Sequence, residues 1–167
     1  MSDRDAAFAE YFAARSEAMR GTAYLLCGDW HRAEDLVQAT FAKLYVAWLR
    51  IQKHEALDAY TRRTLVRTFV SELRRGWFRR ERVTESPGDS AAAGGGSPED
   101  RMVLLSALAK VPPRQRAVIV LRYWEDLSVE ETARALGCSE GTVKSQAARG
   151  LQTLRGLITP LYGEKVR

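Results

Sequence analysis

The chain has 167 residues, enough for one ordinary domain or two small ones, and its 46% hydrophobic and 28% charged composition belongs to a folded globular protein rather than a disordered one. Its 26 basic and 21 acidic residues leave a net charge of +5, a mild pull towards an acidic partner such as nucleic acid. The longest aliphatic run, Ala117–Leu121, is far short of the roughly 20 residues of a membrane span, the charged start Met1–Asp5 is no signal peptide, and two cysteines with two histidines are too few for a disulfide framework or a four-ligand zinc site. These limits predict a cytoplasmic, reducing-compartment protein with no membrane insertion, no metal and no cofactor. Only five of the basic residues are lysines (Lys43, Lys53, Lys110, Lys144, Lys165), so arginine, whose planar fork suits phosphate and guanine, supplies most of the positive charge.

In chain order, the spacing predicts helices throughout. Phe8, Phe12, Ala13, Leu25 and Leu26 mark a first helix ended by Cys27-Gly28. Asp29 is placed to cap a second, in which Ala33, Leu36, Val37, Thr40, Phe41, Leu44, Tyr45 and Trp48 recur at helical spacing. A third runs from about Asp58 to Phe78. Thr84–Asp100 then breaks the pattern, with no aromatic, large aliphatic or basic residue and four acids (Glu85, Asp89, Glu99, Asp100). Such a stretch buries too little apolar surface to offset the entropy of ordering it, and reads as a linker spanning roughly 20–25 Å as a coil. Beyond it come Met102–Lys110, a Pro112-Pro113 break, a helix to about Trp124, and two more. The fold class is therefore all-α, in two small domains at 1–83 and 101–167 joined by a tether at 84–100. The domains carry +4 and +5, and the tether −4.

The sharpest motif lies at Leu127–Arg149. Ser128 with Glu131 forms a capping box, Ala133 is small where two helices must cross, Gly137 suits a tight left-handed turn, Ser139 caps the next helix, and Val143 plugs it back onto the first. That is the geometry of a DNA-reading helix-turn-helix. With Val143, Leu151 and Leu154 facing inwards, the outward surface is Lys144, Ser145, Ala148 and Arg149, short and basic enough to approach base edges and phosphates. The plainer reading is a helical hairpin with a solvated basic face.

In the amino-terminal domain, eight arginines lie between Arg62 and Arg82 (Arg62, Arg63, Arg67, Arg74, Arg75, Arg79, Arg80, Arg82). Guanidinium groups follow a phosphate backbone; Tyr60, Trp77 and Phe78, among or beside them, either stack on exposed bases or fill the core. The second helix instead turns Glu34, Asp35, Gln38 and Lys43 outwards, a polar face for a protein partner. His31 and Asp35 stand one helical turn apart, but no third metal ligand accompanies them.

The chain resembles the extracytoplasmic-function sigma factors of bacterial RNA polymerase, SigE-type. The residues that carry this are Tyr24-Leu-Leu-Cys-Gly-Asp-Trp-His-Arg-Ala-Glu-Asp-Leu-Val-Gln38, Asp58-Ala-Tyr-Thr-Arg-Arg63, Val111–Ser128 and Gly141-Thr-Val-Lys-Ser145. The resemblance implies two helical domains, regions 2 and 4, that bind core polymerase and direct it to promoter DNA. It implies polymerase contacts at Asp35 and Gln38. It implies contacts to the downstream (−10) element at Lys53, Tyr60, Arg62, Arg63, Arg67, Arg74 and Arg75, with a flipped-base pocket near Ile51–Leu57. The upstream (−35) element would be read by Ser139, Gly141, Thr142, Lys144, Ser145 and Arg149. The acidic tether would run towards the RNA exit path. A monomer within the holoenzyme, an anti-sigma factor as antagonist, and no enzymatic activity of its own complete the implied picture. Ala39 stands where the family often has an acid, and Arg67 where Asn is common. Two competing readings are a stand-alone helix-turn-helix regulator and a metal-dependent helical hydrolase using His31, Glu34, Asp35 and His54. Cys27 and Cys138 leave redox sensing open.

Overall fold

The computed structural model describes residues 2–51, 54–75 and 97–162, and every regular element among them is helical. Helix α1 (Asp3–Cys27) starts at Ser2, whose hydroxyl accepts from Asp5 N–H, with Asp3 and Asp5 placed favourably at the positive helix end. It stops at Gly28, in the left-handed region at φ 75°, as the Cys27-Gly28 signal predicts. The Asp29 carboxylate caps α2 (Trp30–Ala47) by accepting from His31 N–H at 2.8 Å. A 3-10 turn (Trp48–Arg50) follows, and then α3 (His54–Arg74). The second half holds α4 (Pro98–Lys110), α5 (Pro113–Ile119), a π turn (Val120–Trp124), α6 (Val129–Leu136) and α7 (Glu140–Tyr162).

The apolar spacing of α2 places six of the expected residues, Ala33, Leu36, Val37, Thr40, Phe41 and Leu44, in the core together with Ala47, whereas Tyr45 is exposed and Trp48 only partly buried. Leu26, Leu44, Leu65 and Phe69 are fully enclosed between α1, α2 and α3. Phe8 closes the upper end, edge-on to Tyr45 at 5.1 Å and Trp48 at 5.4 Å.

Three elements differ from expectation, the first being α3, which begins at His54 rather than about Asp58. Helix α4 begins at Pro98 rather than Met102, so the last three residues assigned to the tether are helical. Ser97 accepts from Asp100 N–H, Pro98 supplies a preset first turn, and Glu99 and Asp100 sit at the positive helix end. The helix expected to run on to Trp124 widens instead at Val120. There Glu125 N–H reaches Val120 O at 3.0 Å, and Asp126 takes a positive φ of 55°. Residues 84–96 of the tether, together with Gln52, Lys53, Trp77, Phe78, Arg79, Arg80 and Arg82, lie outside the described residues.

The two halves pack on each other. Leu26 and Cys27 share one apolar cluster with Leu108, Val111 and Ala117, and Val66 of α3 lies against Leu121, Leu127 and Ala135. A third cluster, Val118, Ala133 and Val143, holds α5, α6 and α7 together.

Candidate nucleic-acid interface

The turn between α6 and α7 is built by the residues the sequence singles out. Glu131 N–H donates to Ser128 Oγ at 3.0 Å, and Ser128 N–H donates to Glu131 Oε1 at 3.1 Å. The bond from Ser128 N–H, and after it one from the Ser128 hydroxyl, hold the Glu131 carboxyl below its ordinary range. Gly137 closes α6 in the left-handed region at φ 68°. Thr142 N–H then donates to Ser139 Oγ at 3.1 Å, which caps α7. Val143 is completely buried against Val118 and Ala133. With that anchor inside, Ser139, Gly141, Thr142, Lys144, Ser145 and Arg149 are all exposed on the first turns of α7. The structure thus brings the six expected upstream readers onto one surface.

Gly150, next to Arg149, is a contributor the sequence reading passed over. A β-carbon there would stand 2.7 Å from Ile119 Cδ1 and 3.2 Å from Gln115 Cβ. Helices α5 and α7 therefore approach closely here, and a side chain at Gly150 would displace that of Ile119.

On α3, Tyr60, Arg63, Arg67 and Arg74 recur at i, i+3, i+7 and i+14, which is one stripe of a helix. Arg63, Arg67, Arg74 and Arg75 are exposed, and Tyr60 is half-buried at the edge of the core with the Arg63 guanidinium 5.8 Å from its ring. Arg62 does not join them. One residue is 100° of helical rotation, and its guanidinium points into the junction between the two halves, where it donates to Glu125 at 2.9 Å. Lys53 lies outside the described residues, as does Gln52 beside it in the expected base-pocket segment. Asp58 anchors the first turns of α3 to α1, accepting from Tyr11 Oη at 2.8 Å and from the Arg15 guanidinium.

Helix α2 presents its polar face as expected. Glu34, Asp35, Gln38 and Lys43 are exposed, with Glu34 paired to Arg20 at 2.6 Å and Lys43 donating to Thr68 Oγ1 at 3.0 Å. The same stripe continues into Val46 and Leu49, which are 74% and 65% exposed. Large aliphatic side chains this open, in register with Asp35 and Gln38, extend the polar patch into an apolar one, as protein-binding faces do. Among the described residues, no group of three or more His, Cys, Asp and Glu is gathered as a metal site. No helix among them is long and apolar enough to cross a membrane.

A helix-turn-helix with a short, basic reading face, packed beside a second helical module that carries an arginine stripe, is the build of a DNA-binding transcription protein. Two family patterns match the chain, Sigma-70 region 2 over residues 12–79 and Sigma-70, region 4 over residues 101–154. The chain is 40% identical over 156 residues to the RNA polymerase sigma-E factor of Streptomyces coelicolor, covering 89% of this chain and 84% of that one. It is 39% identical over 153 residues to its counterpart in Streptomyces avermitilis, covering 89% and 83%. The fold is similar to that of the sigma factor RpoE from Bartonella quintana, solved in complex with the anti-sigma factor NepR, with a TM-score of 0.72, 28% identity and 95% and 98% of the two chains covered. The chain belongs to the sigma-70 family of RNA polymerase sigma factors, in its extracytoplasmic-function branch.

Proposed function

We propose that residues 1–83 bind core polymerase and the downstream promoter element, that residues 101–167 read the upstream element, and that the tether between them sets their reach. The observation that carries this reading is the reading face of α7. A capping box, a left-handed Gly137 and a buried Val143 leave Ser139, Gly141, Thr142, Lys144, Ser145 and Arg149 free for a major groove. Downstream contacts fall to the Tyr60, Arg63, Arg67 and Arg74 stripe, with Lys53, Arg62 and Arg75. Core polymerase is met by Asp35 and Gln38 and by the apolar continuation at Val46 and Leu49.

The chain acts by binding, in the cytoplasm, as a monomer within the holoenzyme, and carries out no catalysis of its own. Each module is a modest DNA binder whose affinity comes mainly from phosphates and falls steeply with salt. Attachment to the large polymerase raises the effective concentration of each at its site. Capturing an unpaired base costs a few kcal/mol, which the assembled complex offsets better than either module alone. The RpoE structure was solved with an anti-sigma factor bound, and an antagonist of that kind is proposed for this chain as well.

The test is a pair of binding measurements on purified protein, to core polymerase and to duplex DNA. Tight binding to core, with sequence-specific DNA binding only in its presence, is the expected result. Tight and specific duplex binding by the chain alone, without affinity for core, would make it a stand-alone regulator instead.

A further inference from the structure

The two reading surfaces sit on one packed body. Elements centred about 25 base-pair steps apart lie roughly 85 Å apart on straight duplex, at 3.4 Å per step. A chain of this length folded as one body is only about 40 Å across. On the proposed division of labour, the packed arrangement cannot touch both elements at once, so the halves must separate before the chain works.

The junction contains a specific clasp. Glu125, at the end of the π turn in the second half, is 12% exposed at its side chain. One carboxylate oxygen accepts from Thr22 Oγ1 of α1 at 2.5 Å, and the other from Arg62 Nε of α3 at 2.9 Å. The wider π turn and the positive φ of Asp126 aim Glu125 away from its own module and into the first. Arg62, reduced to 25% side-chain exposure, is among the arginines expected to meet DNA. A carboxylate therefore occupies the guanidinium that a phosphate would take. An open groove of about 590 Å³, lined by Arg15, Thr22, Asp58, Arg62, Trp124 and Glu125, runs beside the pair and gives an anion access to Arg62.

We propose that the free chain is self-inhibited by this clasp: Glu125 acts as an internal phosphate mimic that shuts region 4 onto region 2 through Arg62 and Thr22. The proposal rests on the functional reading above. Interfaces between domains of one chain open readily, and the apparent affinity of a protein falls by the fraction of it that is competent. If closed chains outnumber open ones about tenfold, removing the clasp tightens DNA binding by about the same factor.

The experiment uses the full chain, with Glu125→Gln, which keeps the shape of the side chain, and Thr22→Val, which removes the donor from the other module. Small-angle X-ray scattering gives the radius of gyration, and anisotropy gives the affinity for a labelled 20-nucleotide random-sequence single strand. Wild type is expected near 15 Å, the value for a compact chain of about this size. Glu125→Gln is expected to expand and to bind the strand about five- to tenfold more tightly, and Thr22→Val to shift both in the same direction by less. An already extended wild type, or two variants that stay compact and bind like wild type, overturns the clasp. Expansion without tighter binding supports the clasp and removes Arg62 from the DNA contacts, so the two ideas fail separately. Should Glu125→Gln lose its helical circular dichroism, Thr22→Val decides by the same criteria.

Discussion

Nη1 of Arg116, on α5, donates to the carbonyl oxygen of Leu26, on α1, at 2.6 Å. The same guanidinium reaches Ala109 O at 3.0 Å and Val111 O at 2.9 Å, at the end of α4. The last carbonyls of a helix have no intrahelical partner and carry its negative dipole end, so one buried cation satisfies two helix termini from different halves of the molecule. Arg116 is only 7% exposed, and burial lowers its pKa to about 10, which leaves it protonated at neutral pH. Arg116→Met strands the buried carbonyls of Leu26 and Val111, and the partly buried one of Ala109, and is expected to cost about 2–4 kcal/mol of stability in denaturant unfolding. Arg116→Lys, a point charge without the planar fork, is expected to recover less than half. A loss under about 0.5 kcal/mol for Met would show that those carbonyls find other partners.

Lys144→Ala with Arg149→Ala removes both long basic side chains from the reading face while leaving the buried Val143 anchor intact. Upstream-element binding by the holoenzyme is expected to fall by more than 100-fold, from the loss of two charged contacts of about 1–3 kcal/mol each, with affinity for core polymerase unchanged. Parallel loss of both would place these residues in the fold rather than at the DNA.

Asp35→Ala with Gln38→Ala should weaken binding to core polymerase at least tenfold, and Leu49→Ala should weaken it further, because all three lie on one open stripe of α2 and its following turn. Surface plasmon resonance against immobilised core measures this. Unchanged affinity in the double variant would move the polymerase contact to another face.

The local signals in the chain were the legible ones. Gly28, Asp29, Ser128 with Glu131, Gly137 and Ser139 all act within a few residues of themselves, through a backbone conformation or a hydrogen bond to a near neighbour, and each does in the structure what its type predicts. The start of α4 is hard to read from sequence because the Gly- and Ala-rich run before it outweighs the short Ser97-Pro-Glu-Asp100 signal. Arg62 stands 100° of helical rotation from Arg63, so adjacency in sequence does not tell that its guanidinium faces the junction between the halves. Nothing local announces Glu125 as the partner of Arg62, or Leu26 as an acceptor for Arg116. Those pairs are 63 and 90 residues apart and exist only because the halves pack together.

Thr132, in α6, is fully buried, and its hydroxyl has no hydrogen-bond partner among the described residues. Desolvating a hydroxyl without a partner costs about 1–3 kcal/mol, so Thr132→Val, which keeps the shape, is expected to raise stability by about 1 kcal/mol. A lower melting temperature in the variant would show that the hydroxyl is satisfied in solution.

The capping box makes the helix-turn-helix sensitive to acid. The Glu131 carboxyl titrates lower in the folded chain than in the unfolded one, so its stabilising effect is complete above the ordinary glutamate range and disappears as the pH falls through the lowered folded value. Glu131→Gln keeps a side-chain acceptor for Ser128 N–H but does not titrate. The stability gap between wild type and Glu131→Gln, followed by denaturant unfolding from neutral to acid pH, is expected to close as the pH drops. A gap that stays constant would mean the carboxylate charge contributes nothing to the cap.

Run-off transcription tests the central claim most directly. Purified bacterial core polymerase is supplied with genomic promoter fragments, with and without this chain, and the start sites are mapped. Discrete transcripts that appear only with the chain, and vanish from duplex templates with the Lys144→Ala, Arg149→Ala variant, are the predicted result. Identical start sites and yields with and without the chain would contradict its role in initiation.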